Sequence, residues 1–182
     1  MDIPDTNDIT AIQLNGTYGR ITIFNIYNDC NHSENEIKLR NFIRENARDI
    51  CQNDNDQMIW AGDFNRHHPL WDKNEDIHLF TRKATDATNE FIDILGEFKL
   101  EMALPKDILT LQHMVMKKYS RPDNVFCTQQ LLEQMIRCEV DARLRPPATD
   151  HFPIVTRFLI PQNRVSETPV HDFRDVDWEK FC

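Results

Sequence analysis

"MIWAGDFNRHHPLWD", Met58 to Asp72, decides how this chain is read. An apolar run stops at Gly62-Asp63-Phe64-Asn65, and two histidines, a proline and a tryptophan follow. A short apolar run closed by turn-forming residues suits a buried strand. A strand that ends on a carboxylate and an amide presents them where side chains leave the core but the backbone stays rigid. On extended backbone, residues two apart point to the same side, so Asp63 and Asn65 are expected to face one pocket. A carboxylate there suits a hard divalent cation, or the proton of a water molecule. The amide can hold the same water or a phosphate oxygen without adding charge. Gly-Asp-x-Asn equally suits a plain turn in which the Asx side chains serve the backbone.

Upstream, "IQLNGTYGRITIFNIYND" (Ile12 to Asp29) reads as two strands joined through Asn15-Gly16. In the second, Ile21 and Ile23 alternate with Thr22, Phe24 and Ile26, so both faces are expected to be buried. "SENEIKLRNFIRENARDIC" (Ser33 to Cys51) reads as one amphipathic helix, with Ser33 and Glu36 as a capping box. Strand, helix and strand in that order predict a sheet with a helix packed on it.

Downstream, "ATDATNEFIDILGEF" (Ala84 to Phe98) predicts a second helix with Ala87, Phe91, Leu95 and Phe98 inward. "LEMAL", "TLQHMVM", "PDNVFCT", "CEVDARL" and "HFPIVTRFLI" read as strands, and "QQLLEQMI" as a short helix. The segment "PQNRVSETPVHDFRD" (Pro161 to Asp175) is polar and proline-spaced and reads as a linker. The domain is therefore expected to run over 1–160, with 161–182 as linker and the start of a spacer.

Hydrophobic residues make up 40% of the 182 positions and charged residues 28%, the composition of one globular domain. No run reaches the roughly 18 apolar residues of a membrane span, and the acidic start lacks the features of a secretory signal. Five scattered cysteines with no C-x-x-C pair argue against a zinc knuckle or a redox pair. An intracellular setting, the nucleus included, is the expectation. A net charge of −9 suits poorly a protein that grips a polyanion over a broad face. Two local basic clusters stand against it: Lys117, Lys118 and Arg121, and Arg137, Arg143 and Arg145.

Four polar sites therefore sit at strand ends: Tyr27-Asn28, Asp63-x-Asn65, Asp123-Asn124 and Asp150-His151. An imidazole needs an acceptor that fixes its tautomer, and Asp123 is the candidate partner of His151. The same dipeptide also suits a surface loop or a helix cap. His67 and His68 tempt as metal ligands, but neighbouring residues seldom ligate one ion. Pro69, Leu70 and Trp71 are expected to pack the turn, with Asp72 exposed.

Taken in order, "NIY", "GDFN", "RPDNVF" and "TDHFP" resemble the endonuclease/exonuclease/phosphatase superfamily. The wording of "GDFNRHHPLWD", "LEMALP" and "LRPPATDHFPI" is similar to the endonuclease domain of non-LTR retrotransposons. The resemblance implies a two-sheet α/β sandwich flanked by helices, DNase I-like, and hydrolysis of DNA phosphodiesters with Mg²⁺ or Mn²⁺. It implies that Tyr27 contacts the scissile phosphate, and that Asp63 positions or deprotonates water with Asn65 as its companion. It further implies that Asp123 orients His151, that His151 holds a phosphate oxygen, and that Asp150 lies on the metal side. The family's first strands and helix supply a glutamate as principal metal ligand, and Met1 to Gly19 hold no equivalent. The chain is thus expected to lack that first part, with impaired catalysis. The alternative is a remnant that binds phosphate, nucleic acid or protein without cleaving.

Overall fold

The computed structural model describes residues 3–29 and 34–160. The strands are β1 (Ile9–Gly16), β2 (Gly19–Tyr27), β3 (Gln57–Asp63), β4 (Leu100–Met102), β5 (Leu111–Gln112), β6 (Tyr119–Ser120), β7 (Asp123–Thr128), β8 (Met135–Val140) and β9 (Ile154–Phe158). The helices are α1 (Glu34–Glu45), α2 (Ala47–Ile50), α3 (Arg82–Glu97) and α4 (Gln129–Glu133). A five-stranded sheet of order β1-β2-β3-β7-β4 forms the centre. Strands β2 and β3 are parallel, joined through α1 and α2, and the other pairs are antiparallel. Two hairpins, β5-β6 and β8-β9, complete the strands.

Alternation along the strands sorts the core into two layers. Phe24 and Ile26 of β2, Met58 and Trp60 of β3, and Phe126 of β7 meet Leu39, Phe42 and Ile43 of α1 and Phe91, Ile94 and Leu95 of α3. Ile21, Val125 and Cys127 point the other way, onto Leu131 of α4 and Cys138 of β8. Ile23, Ile59 and Ala61 are only partly covered on that side. An open apolar groove of about 550 Å³ there runs between the sheet and β9, past Ile59, Ile154 and Phe158 to Asp123. Both faces of β2 are thus used, as its pattern predicts, but unequally. The burial of the apolar thiols pushes Cys127 up to about 12.

Several boundaries differ from the sequence reading for local reasons. The β1–β2 turn is Thr17-Tyr18, flanked by the paired Gly16 and Gly19, and Asn15 lies within β1. The long helix breaks at Asn46, whose side chain donates to the Phe42 carbonyl and competes with the helical ladder. Ser33 lies outside the described residues, so the capping box is not described; Glu36 itself is buried and faces Arg66 at 3.0 Å. The segment read as a helix through Ile136 ends at Glu133, and Met135 and Ile136 already belong to β8. Ala142–Leu144, read as strand, is a 3-10 turn capped by Asp141. Segments 100–104 and 110–116 yield only three- and two-residue strands. The linker over 161–182 lies outside the described residues.

Candidate active site

Parallel pairing sets Tyr27 opposite Asp63, and antiparallel pairing sets Asp63 opposite Asp123. One row across β2, β3 and β7 therefore carries a phenol and two carboxylates at the same sheet end. All three belong to the alternation that faces the β8–β9 layer. Gly62 makes this close approach possible. It has φ +142°, and a Cβ there would lie 2.0 Å from the Ile26 carbonyl oxygen. No other residue suits that backbone and that spacing.

His151 reaches the row from the loop before β9. Leu111 forms an isolated bridge with it, and the Gln112 N–H donates to the Asp150 carbonyl at 2.8 Å. Its Nδ1 meets both Asp123 carboxylate oxygens, at 2.9 and 3.0 Å. The ring is thereby oriented, and Nε2 is turned toward Asp63 Oδ2 at 4.0 Å and Asp150 Oδ1 at 3.9 Å. Donor atoms of Asp63, Asp123 and His151 all lie within 4.8 Å of one another.

The electrostatics follow from crowding. Burial first, then repulsion from Asp123, raises the Asp63 carboxyl above its ordinary range. Burial also raises Asp123, partly offset by the Thr110 hydroxyl, which donates at 2.7 Å, and by His151. Two carboxylates thus share a half-buried site with one imidazole. Hard oxygen donors with surplus negative charge fit a divalent cation. Asp63, Asp123 and His151 are the donors close enough together to hold one.

Asn65 departs from the extended geometry assumed for it. At φ +48° it leaves the strand, and its Nδ2 donates to the Asn28 carbonyl at 2.8 Å. Its backbone N–H donates to Asp63 Oδ1 at 3.1 Å. The Asx turn and the functional geometry are therefore one object: the turn holds the Asp63 carboxylate. Phe64 and Asn65 also donate their N–H groups to the Pro122 carbonyl, which ties this turn to the start of β7. Asn28, in turn, donates to Glu36 at 2.8 Å within a buried group that includes Arg66. Tyr27 is half-exposed beside the cluster.

Two sequence expectations are corrected nearby. Asp72 is buried, not exposed: it accepts the His68 N–H at 2.8 Å and meets His67 Nδ1 at 3.2 Å. Arg121 belongs to no surface patch. It is buried, donates to the Trp71, Leu104 and Pro105 carbonyls and to Asn124, and burial lowers it to about 10. Thr110, which touches Asp123, carried no sequence signal, because nothing in the local pattern links it to a residue 13 positions away.

With this geometry in view, the likenesses to known proteins are informative. The endonuclease-reverse transcriptase family model matches residues 21–155. The chain belongs to this family, within the endonuclease/exonuclease/phosphatase superfamily. Among solved structures, it is similar to the endonuclease domain of TRAS1, a telomere-specific non-LTR retrotransposon. That match has 22% identity and TM-score 0.66, covering 86% of this chain and 66% of that one. An AP endonuclease from Archaeoglobus fulgidus matches at 20% identity and TM-score 0.53, covering 77% of this chain and 62% of that one. The 3′ phosphatase NExo from Neisseria, bound to product DNA hairpin, matches at 16% and 0.58, covering 87% and 68%. The chain thus spans less than two thirds of the first two structures. These likenesses show the DNase I-like fold. Among curated proteins, none matches the chain in sequence. No helix in the described residues is long and apolar enough to cross a membrane.

Proposed function

We propose that this endonuclease-family domain hydrolyses phosphodiester bonds in DNA with a divalent metal ion. One observation carries the reading: Asp63, Asp123 and His151, far apart in sequence, put their donor atoms within 4.8 Å of one another. Asp63, steadied by the Asn65 N–H, takes the proton of an attacking water, and its raised pKa makes it a better acceptor. His151, oriented by Asp123, offers Nε2 to a non-bridging phosphate oxygen, and Tyr27 flanks the same phosphate. Mg²⁺ or Mn²⁺ held on the Asp150 side of the site would supply positive charge to offset the charge growing on phosphorus. The solved relatives named for endonuclease activity and for a bound DNA hairpin support DNA as substrate.

The test is nicking of supercoiled plasmid by the purified chain. Nicking that needs Mg²⁺ or Mn²⁺, stops with EDTA and disappears in Asp63→Ala supports the reading. Nicking that survives both treatments overturns it. A second reading, a domain that binds the phosphate backbone without cleaving it, has one observation in its favour. Among the described residues no glutamate joins the cluster. Duplex binding with no cleavage at any metal concentration would select it.

A further inference from the structure

Several arginines of this acidic chain are paired with carboxylates. Arg20 pairs with Asp56, Arg40 and Arg44 with Glu97, Arg66 with Glu36, Arg137 with Glu139, and Arg143 with Asp141. Arg145 is held in place differently. Its Nε donates to the Thr149 carbonyl at 2.9 Å and its Nη1 to Gln112 Oε1 at 3.2 Å. Its guanidinium carbon lies 4.6 Å from the centre of the Phe152 ring. Among the described residues no carboxylate forms an ion pair with it.

Every group that holds Arg145 adjoins the catalytic loop. Thr149 precedes Asp150, and Phe152 follows His151. Gln112 follows Leu111, the residue bridged to His151, and its own N–H donates to the Asp150 carbonyl. Gln112 Nε2 donates onward to the Tyr119 hydroxyl at 2.8 Å, and the Tyr119 ring stacks near-parallel to Phe152 at 6.4 Å. Arginine, aromatic and tyrosine thus form one braced layer built on the residues that flank Asp150-His151. Ordering a side chain as free as arginine costs about 2 kcal/mol. A guanidinium fixed by neutral acceptors keeps its charge unneutralised, and its planar fork matches phosphate oxygens.

We propose that Arg145 binds a backbone phosphate next to the scissile one, and so sets the register of the DNA strand over His151. This rests on the phosphodiesterase reading above. The bonds already described leave Nη2 uncommitted to any of them, and it is the atom offered to the phosphate. In a chain of net charge −9, one such fixed cation beside the site carries weight that a diffuse basic face would carry elsewhere.

The experiment is fluorescence anisotropy of a labelled DNA duplex, titrated with protein over a range of salt in Ca²⁺ buffer. The variants are Arg145→Met, Arg145→Lys and Arg143→Met. Arg145→Met keeps a side chain over Phe152 but removes the charge. It is expected to weaken binding about tenfold at low salt and to reduce the salt slope by about one. Arg145→Lys keeps the charge without the fork, so it should retain the slope while weakening binding severalfold. Arg143→Met removes the same charge two residues away and should leave the slope as in wild type. A wild-type slope in Arg145→Met, or the same change in Arg143→Met, overturns the contact and leaves the phosphodiesterase reading standing. Failure of the wild-type chain to bind duplex removes both. If Arg145→Met does not fold, the lysine variant decides: an unchanged affinity overturns the proposal.

Discussion

Among the described residues, two histidine rings are held by an aspartate at hydrogen-bond distance, His67 by Asp72 and His151 by Asp123, with different surroundings. Asp72 is buried, holds His67 at 3.2 Å, and accepts the His68 N–H. It closes a turn packed by Trp71, whose indole donates to the Arg66 carbonyl. His68 uses its own Nδ1 to accept the Leu70 N–H and lies against Trp71, and burial pushes its pKa down. Asp123 holds His151 just as closely, but the far side of that ring meets two more carboxylates, Asp63 and Asp150. A carboxylate on one imidazole nitrogen fixes the ring. Only a second reactive group near the other nitrogen turns that rigidity into chemistry.

The sharpest way to break this comparison is to remove each ring. His151→Ala should lower plasmid nicking by about a thousandfold or more and leave the thermal midpoint nearly unchanged. His67→Ala should do the reverse, shifting the melting curve while nicking falls by less than about tenfold. If His67→Ala abolished cleavage while the fold survived, the two pairs would not be separable.

Next in size is Asp72→Ala, which leaves a buried N–H and an imidazole without their acceptor. It should cost about 3 kcal/mol in urea denaturation. Asp123 is less buried, and Asp123→Asn should cost little stability but most of the activity.

Asp63→Asn should stabilise the chain at neutral pH by about 1 kcal/mol, because a strained carboxylate becomes neutral. The sign follows from its raised pKa. The folded state binds that proton more tightly than the unfolded chain does. The stability it contributes is therefore full below the unfolded pKa and is lost as pH rises through the folded value. Denaturation at several pH values checks this: the advantage of Asp63→Asn should shrink below about pH 4 and be complete at pH 7. An advantage that grew on acidification would refute the assignment.

The smallest expected effect is at Thr110. Thr110→Val removes the hydroxyl donated to Asp123. It should destabilise by about 1 kcal/mol and raise the Asp123 pKa further. The acid limb of the pH–activity profile should move to higher pH, since that hydrogen bond favours the charged carboxylate.

The two layers of the sheet show how far sequence reading reaches. The helix-covered face is legible, because Leu39, Phe42, Phe91 and Leu95 recur at helical spacing and Phe24, Met58 and Trp60 alternate along strands. The other face is legible only in part. The strands that cover it are short, and β8 starts inside a segment that reads as helix. Short apolar runs do not distinguish the two by period. The polar ends of β2, β3 and β7 are legible as strand ends, and Asp123 could be named as a partner of His151. That Asn65 would turn out of the strand, at φ +48°, was not legible, since nothing in Gly-Asp-Phe-Asn separates a turn from a ligand pair.

By itself the sequence determined the family, the strand–helix–strand order and which strand ends carry acids, amides and imidazoles, because hydrophobic period and motif order are local properties. Only the tertiary structure decided that Asp72 and Arg121 are buried, that Thr110 supports Asp123, and that Arg145 is held by Thr149, Gln112 and the Phe152 ring. Those outcomes depend on which distant backbone and side-chain groups come within about 3 Å. Pairing across strands and loops sets that distance, and residue type does not.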